Sequence, residues 1–235
     1  MFDFIRKHTL WQALDAGYLE ELEQKISYQL KSAQDLAVYS LLRDCRGLDM
    51  AEIGGGDSRL LRRLAKHNRC CNIDRFEGAN CGPQQTPRIE GVRNILTFLG
   101  EFDPRLPEAS FDAVFSISVV EHLRRDTEEA FHHDLLRILK PGGLFLHAID
   151  FYLGDEPSAQ DQRRMGTYRA WISEPDRVEP LGEVREIEPR FQCDMASNPD
   201  HILHGWGRFA PRLIEVRKIC QNVSLLVGGH KLDAG

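Results

Sequence analysis

Between Thr9 and Asp44 the apolar residues Leu10, Trp11, Leu14, Tyr18, Leu22 and Ile26 recur every three or four positions, and Leu30, Leu36, Tyr39 and Leu41 continue the pattern less regularly. That period lays an apolar stripe along a helical surface and predicts two helices. The pattern changes at Leu48. Leu48 to Ile53 is a short extended run that ends in Gly54-Gly55-Gly56 and opens onto Leu60, Leu61, Leu64 and Ala65, which reads as strand, turn, helix. Cys70 to Asp74, Val92 to Leu99, Phe111 to Ser118 and Leu144 to Asp150 read as four further strands, and Asn222 to Val227 as the last.

Between the Phe111 and Leu144 strands, Asp126-Thr-Glu-Glu129 resembles a capping box, and Phe131, Leu135, Ile138 and Leu139 form one helical face. Pro141-Gly142-Gly143 stops that helix. Strands alternating with helices predict a parallel sheet covered on both faces, with ligands at the carboxyl ends of the strands. Two segments fit the alternation badly. Gly78 to Pro87 carries Gly82 and Pro83 where a crossover helix belongs, so that helix is expected to be short or absent. The stretch after Asp150, with prolines at 157, 175, 180, 189, 199 and 211, reads as an insertion specific to the substrate.

The formal charge of −6, from 30 Lys and Arg against 36 Asp and Glu, argues against a partner bound by neutralising many phosphates, so nucleic acid is not expected. The longest apolar runs fall far short of a membrane span, and no membrane association is expected. The start Met-Phe-Asp-Phe-Ile-Arg-Lys-His does not read as a secretory signal. Cys45, Cys70, Cys71, Cys81, Cys193 and Cys220 form no Cys-x-x-Cys pair and read as thiols of a reducing compartment, which places the protein in the cytoplasm.

Candidate chemistry concentrates in Glu52-Ile-Gly54-Gly55-Gly56-Asp-Ser58. Between a strand and a helix, glycines let the backbone turn tightly and approach a ligand with no Cβ in the way. Asp74 ends the next strand, where an acid can accept hydrogen bonds from ribose hydroxyls. Loop and acid together point to a nucleoside-containing cofactor.

Four blocks then resemble, in order, the class I S-adenosylmethionine-dependent methyltransferases. They are Leu48-Asp-Met-Ala-Glu-Ile-Gly-Gly-Gly-Asp-Ser-Arg-Leu-Leu61, Asn72-Ile-Asp-Arg75, Phe111-Asp-Ala-Val-Phe-Ser-Ile-Ser-Val-Val-Glu-His-Leu123 and Leu139-Lys-Pro-Gly-Gly-Leu-Phe145. The resemblance runs from about residue 46 to 150, with Ser58 standing where the family usually has a third glycine. It implies an α/β, Rossmann-like, doubly wound and mostly parallel seven-stranded sheet. An N-terminal helical cap (1–44) would precede a methyltransferase domain (45–235) with its insertion around 151–215. It implies S-adenosylmethionine as cofactor, with S-adenosylhomocysteine as product. Gly54 and Gly56, with Gly55 between them, would lie against the methionine portion while Glu52 supports the loop. Asp74, followed by Arg75, would bind the ribose. Glu101 would accept from the adenine amino group and Phe102 flank the ring. Ser116 and Ile117 would face the methionine carboxylate or sulfonium.

Methyl transfer is chiefly a matter of holding two reactants in line, and an alcohol acceptor also needs a base. His122, just after the Phe111 strand, is the leading candidate because its pKa suits neutral pH, and Asp150, ending the Leu144 strand, is placed to orient the acceptor. Alternation along that strand puts His147 on the face opposite Asp150, as a packed residue. His132 and His133 are expected on a solvated helix face, and His201 and His204 have a possible metal spacing without a ligand cluster, so no metal is expected. Tyr152, Tyr168, Trp171, Phe191 and Trp206, with Arg163, Arg164 and Arg208, suit a lid or a hydroxylated acceptor, and Trp11 and Tyr18 a cover over the cofactor mouth. Oxygen methylation of a small polar metabolite, sugar or glycan precursor is the reading. An NAD-dependent oxidoreductase and a non-catalytic interaction module of the same fold are the alternatives.

Overall fold

The structure, a computed structural model, describes residues 1–23, 30–78, 84–190 and 221–233. Ile26, Cys81, Gly82, Pro83, Phe191, Cys193, Pro199, His201, His204, Trp206, Arg208, Pro211 and Cys220 lie outside the described residues.

The chain runs β1 (Phe2–Phe4), α1 (Lys7–Asp15), α2 (Tyr18–Glu21), α3 (Leu30–Leu42), β2 (Asp49–Ile53), α4 (Arg59–Leu64), β3 (Arg69–Ile73) and β4 (Val92–Ile95). It continues through β5 (Phe111–Ile117), a 3₁₀ turn (Val120–His122), α5 (Glu128–Ile138), β6 (Leu139–Leu153), α6 (Ala159–Trp171), β7 (Val178–Pro180) and β8 (Gln221–Lys231). One sheet of eight strands takes the order β1-β8-β6-β5-β2-β3-β4, with β7 also paired to β8. The five strands from β6 to β4 are mutually parallel, and β8 joins β6 antiparallel.

Both faces of the parallel part are covered, which is why its strands read as nearly continuous apolar runs. On one face Leu36, Val38 and Leu42 of α3 and Leu60, Leu61 and Leu64 of α4 pack over Met50, Phe115 and Leu146. On the other, Phe131, Leu135 and Ile138 of α5 and Tyr168 and Trp171 of α6 pack over Val114, Phe145 and Ile149. Residues 145, 146 and 149 of β6 thus alternate between faces as a strand requires. Each fully buried leucine contributes about 1.5–3 kcal/mol relative to exposure.

Several expectations are corrected. The sheet has eight strands instead of seven, because two three-residue strands, β1 and β7, both pair with β8 beside the six read from the sequence. Three helices occupy the described part of the first 44 residues where two were expected, and α3 lies directly on the sheet. The Val92 strand stops at Ile95, and the last strand extends to Lys231. The helix α5 ends at Ile138, but Pro141-Gly142-Gly143 belongs to β6, with the register shifting between Phe111 and Ala113 to absorb it. No capping box forms at Asp126: Thr127 is the N-cap without a side-chain bond, its hydroxyl donating to the Arg124 carbonyl at 2.8 Å. A capping box does form at Ser158 and Asp161, starting α6 in the proline-rich stretch. Between β3 and β4 the described residues include no helix. Cys45, Cys70 and Cys71 are unbridged. Among the described residues no helix is long and apolar enough to cross a membrane.

Candidate functional site

The carboxyl ends of β2, β3 and β5 open onto a cleft of about 680 Å³, within the range of ligand pockets. Its floor is the turn after β2. Gly54 (φ +62°) and Gly56 (φ +53°) take left-handed conformations that favour glycine. A Cβ on Gly54 would stand 2.6 Å from Val119 Cγ2, and one on Gly55 would stand 2.8 Å from Asn72 Oδ1 and 2.9 Å from Glu52 Cδ. The Asn72 amide holds the turn by donating to the Gly56 carbonyl at 2.8 Å. Ser58 is not a defective glycine position: it is the N-cap of α4, accepting from the Leu61 N–H at 3.0 Å while donating to the buried Glu52 carboxylate. Burial lifts the Glu52 carboxyl to about 7, against the lowering effect of that hydroxyl.

Asp74 lines the cleft one strand over, where its carboxylate accepts from the N–H groups of Gly56 (3.1 Å) and Phe76 (2.8 Å). Carboxylate oxygens retain further acceptor capacity for a ligand hydroxyl. Arg75 also lines the cleft, pairs with Glu101, and lies 5.6 Å from the ring centre of Phe98. On the opposite wall stand Ser118, Val119 and His122, with Lys31 and Asp35 of α3 above the glycine turn. The buried Asp35 accepts from Arg59 Nε at 2.7 Å, locking α3 to α4.

The cleft brings together Glu52, Gly54, Gly55, Gly56, Asp74, Arg75 and His122. Glu101, Phe102, Ser116, Ile117 and Asp150 stand outside its lining. The 100–102 turn is fixed by the fully buried Asp134, which accepts from the Gly100 and Phe102 N–H groups at 2.7 and 3.0 Å, and Glu101 pairs from it with the cleft-lining Arg75. Phe102 is exposed at φ +53°, and Phe98 takes the wall instead. Ser116 is buried, its hydroxyl 2.7 Å from His147 Nδ1, and Ile117 packs into the α3–α4 face. Asp150 sits behind the wall, where its Oδ1 accepts from Gln34 (2.6 Å) and Ser118 (3.1 Å), and Gln34 also donates to Ser224 at 3.0 Å. Ser118 reaches this cluster at φ +54°, a conformation uncommon for a side chain with Cβ and one that collects at functional sites.

His122 is half-exposed. Burial lowers its pKa below the ordinary 6.5, with Asp150 opposing, so the ring is neutral at pH 7. His147 is fully buried, as its strand position predicts, and burial takes it down to about 3. His132 overturns the expectation of a solvated pair: it is buried and stacked flat on Trp171 at 5.0 Å, while His133 faces solvent. Trp11 and Tyr18 do not line the cleft; Trp11 is exposed and Tyr18 packs edge-on against Tyr39. Among the described residues no group of three or more His, Cys, Asp or Glu is placed to hold a metal ion.

Sequence reasoning passed over Lys31, Asp35, Phe98 and Ser118. Of these only Ser118 had a signal, its place one residue past the end of β5.

Residues 51–147 match a family model described as a methyltransferase domain. Sterol 24-C-methyltransferase ERG6A of Gibberella zeae is 27% identical over 177 residues, covering 68% of this chain and 44% of that protein. The chain therefore spans less than half the length of that curated relative. Phosphoethanolamine N-methyltransferase 2 of Haemonchus contortus, solved with S-adenosyl-L-methionine, superposes with a TM-score of 0.57 at 14% identity, over 94% of this chain and 57% of that one. Geranyl diphosphate C-methyltransferase of Streptomyces coelicolor gives 0.57 at 12% identity, over 98% and 88%. These structural likenesses establish the fold.

Proposed function

We propose, from the match of residues 51–147 to a methyltransferase domain, that the protein is a class I S-adenosylmethionine-dependent methyltransferase that methylates an oxygen of a small polar acceptor, with His122 as the base. The acceptor class is a metabolite, sugar or glycan precursor, with no nucleic acid and no membrane surface as substrate. The cleft fits the cofactor: a glycine turn that a Cβ would fill, with Asp74 beside it retaining acceptor capacity. Gly54, Gly55 and Gly56 would let the amino-acid portion approach the backbone, and Asp74 would bind the ribose hydroxyls. Phe98 and Arg75 would border the base. When bound, S-adenosylmethionine supplies an electrophilic methyl group and leaves as a neutral thioether.

The observation that carries the reading is His122, half-exposed, neutral at pH 7 and on the wall of the cleft that holds the glycine turn and Asp74. A neutral imidazole there can take the acceptor's proton as the new bond to carbon forms, an effect of about 10²–10⁴-fold. Asp150, held by Gln34 and Ser118, supports the wall and favours the charged ring.

Calorimetric titration with S-adenosylhomocysteine and, separately, NAD tests the cofactor. S-adenosylhomocysteine alone is expected to bind; binding of neither would turn the reading to a non-catalytic interaction module. Transfer of labelled methyl to a panel of alcohols, amines and carboxylates then tests the acceptor. On the acceptor so found, His122→Ala is expected to lower turnover about 10²-fold or more with little change in cofactor affinity. Wild-type turnover in that variant would end the assignment of the base.

A further inference from the structure

The 3₁₀ turn Val120–His122 carries a second ionisable side chain that the reaction above does not use. The Glu121 side chain is 8% exposed, and neither carboxylate oxygen makes a hydrogen bond of good geometry, the nearest donors being the backbone N–H groups of Glu121 itself and Asp150. A buried polar group left unpaired demands a physical explanation. Its Oε1 stands 3.9 Å from Nε2 of His122, whose side chain is 45% exposed. The Arg164 guanidinium of α6 donates to the Glu121 carbonyl and pins the turn. The other charged or titratable groups facing the pair are Asp150 of β6, Lys31 of α3 and Tyr168 of α6.

We propose that Glu121 positions His122 for proton transfer, taking the Nε2 edge of the ring so that Nδ1 is the nitrogen left for the acceptor's proton. The inference rests on His122 being the base of the methyl transfer. Closing the gap by about 1 Å makes a hydrogen bond of ordinary length. An oxygen of the carboxyl can accept Nε2–H whether the group is ionised or not, which fixes the tautomer with a lone pair on Nδ1. As the acceptor oxygen forms its bond to carbon, the O–H electron pair stays on oxygen and the proton passes to Nδ1. The imidazolium so formed lies beside Asp150 and beside a carboxyl that stabilises it further once ionised. Burial, reinforced by Asp150, lifts that carboxyl to about 8 against the lowering effect of nearby backbone N–H groups and of Arg164. The support it gives therefore grows as pH rises toward and past that value.

The test follows the His122 ring resonances by NMR in the histidine-labelled chain, from about pH 5 to 10, with S-adenosylhomocysteine present. The wild-type ring is expected to respond in two steps, its own below 6.5 and a second near 8 as Glu121 ionises next to it. Glu121→Gln is expected to abolish the upper step and keep the lower, and Glu121→Asp to restore an upper step. A single step in the folded wild-type chain overturns the proposal without recourse to any variant, as does an upper step that survives in Glu121→Gln. Calorimetry of the wild-type chain with S-adenosylhomocysteine separates the two layers. Both steps without binding would refute the methyltransferase reading and uphold the pairing; binding with a single step would do the reverse.

Discussion

Replacing Gly54 by alanine probes the cradle at its tightest point. The residue holds φ +62°, and the added Cβ would stand 2.6 and 3.2 Å from the two methyl carbons of Val119, a residue on the opposite wall. The left-handed backbone costs an alanine about 1–2 kcal/mol, and forcing a methyl into a filled contact costs about 1–3 kcal/mol. A total of roughly 2–5 kcal/mol corresponds to a fall in Tm of about 5–15 °C for a chain of this size. The two contributions can be separated. In Val119→Ala the methyls are gone and only Val119 Cβ remains, 3.5 Å from the new atom, an ordinary contact. The double variant Gly54→Ala/Val119→Ala should therefore lose about 1–3 kcal/mol less than the sum of the single losses, while the backbone cost persists. Urea unfolding of the four proteins, read by circular dichroism, closes the cycle. Additivity within about 0.5 kcal/mol would refute the steric reading, and a Tm unchanged in Gly54→Ala would refute the backbone reading as well.

Asp74→Ala should weaken S-adenosylhomocysteine about 10- to 100-fold by calorimetry, the scale of a lost hydrogen bond to a charged group; unaltered affinity would remove the reason for placing the ribose there. His132→Phe should keep the stack on Trp171 and flatten the acid side of the stability curve. Burial depresses the folded His132 pKa to about 3, so its stability is fully present above 6.5 and is lost as pH falls from 6.5 toward 3. Melting curves across that window should show the variant gaining on the wild type as acid is added, and parallel curves would contradict the assignment.

The parallel strands were legible because both their faces are buried: Leu48 to Ile53 and Phe111 to Ser118 are short, mostly apolar runs flanked by turns. The glycine turn and Asp74 were legible for a related reason, since left-handed backbone and a strand-end acid leave direct traces in residue type. What escaped was set by distant contacts. The strand β1 is three residues long, and only its pairing to β8 makes it a strand. In α6 the buried residues are Met165, Tyr168 and Trp171, too few among polar neighbours to outweigh the surrounding prolines. Glu101 and Phe102 sit at a plausible spacing, yet the shape of their turn is set by Asp134, far along the chain, and Phe102 is left exposed. Of two adjacent histidines, His132 is the one buried, between Trp171 and Phe145, both distant in the chain.

The placement of β8 between β6 and β1 bears on how the chain folds as it leaves the ribosome. The central parallel strands and the covering helices α3, α4 and α5 are complete once β6 has emerged, with α6 directly behind it, but the outer edge of that fifteen-residue strand has no partner until Gln221–Lys231 follows. The intervening stretch of about 70 residues takes roughly 4–14 s to synthesise. Throughout that interval a long apolar edge is open to pairing with another nascent chain, and β1, made first, waits for the same partner. Crowded synthesis on one message is therefore the condition under which this fold is most exposed to aggregation, however stable the finished sheet.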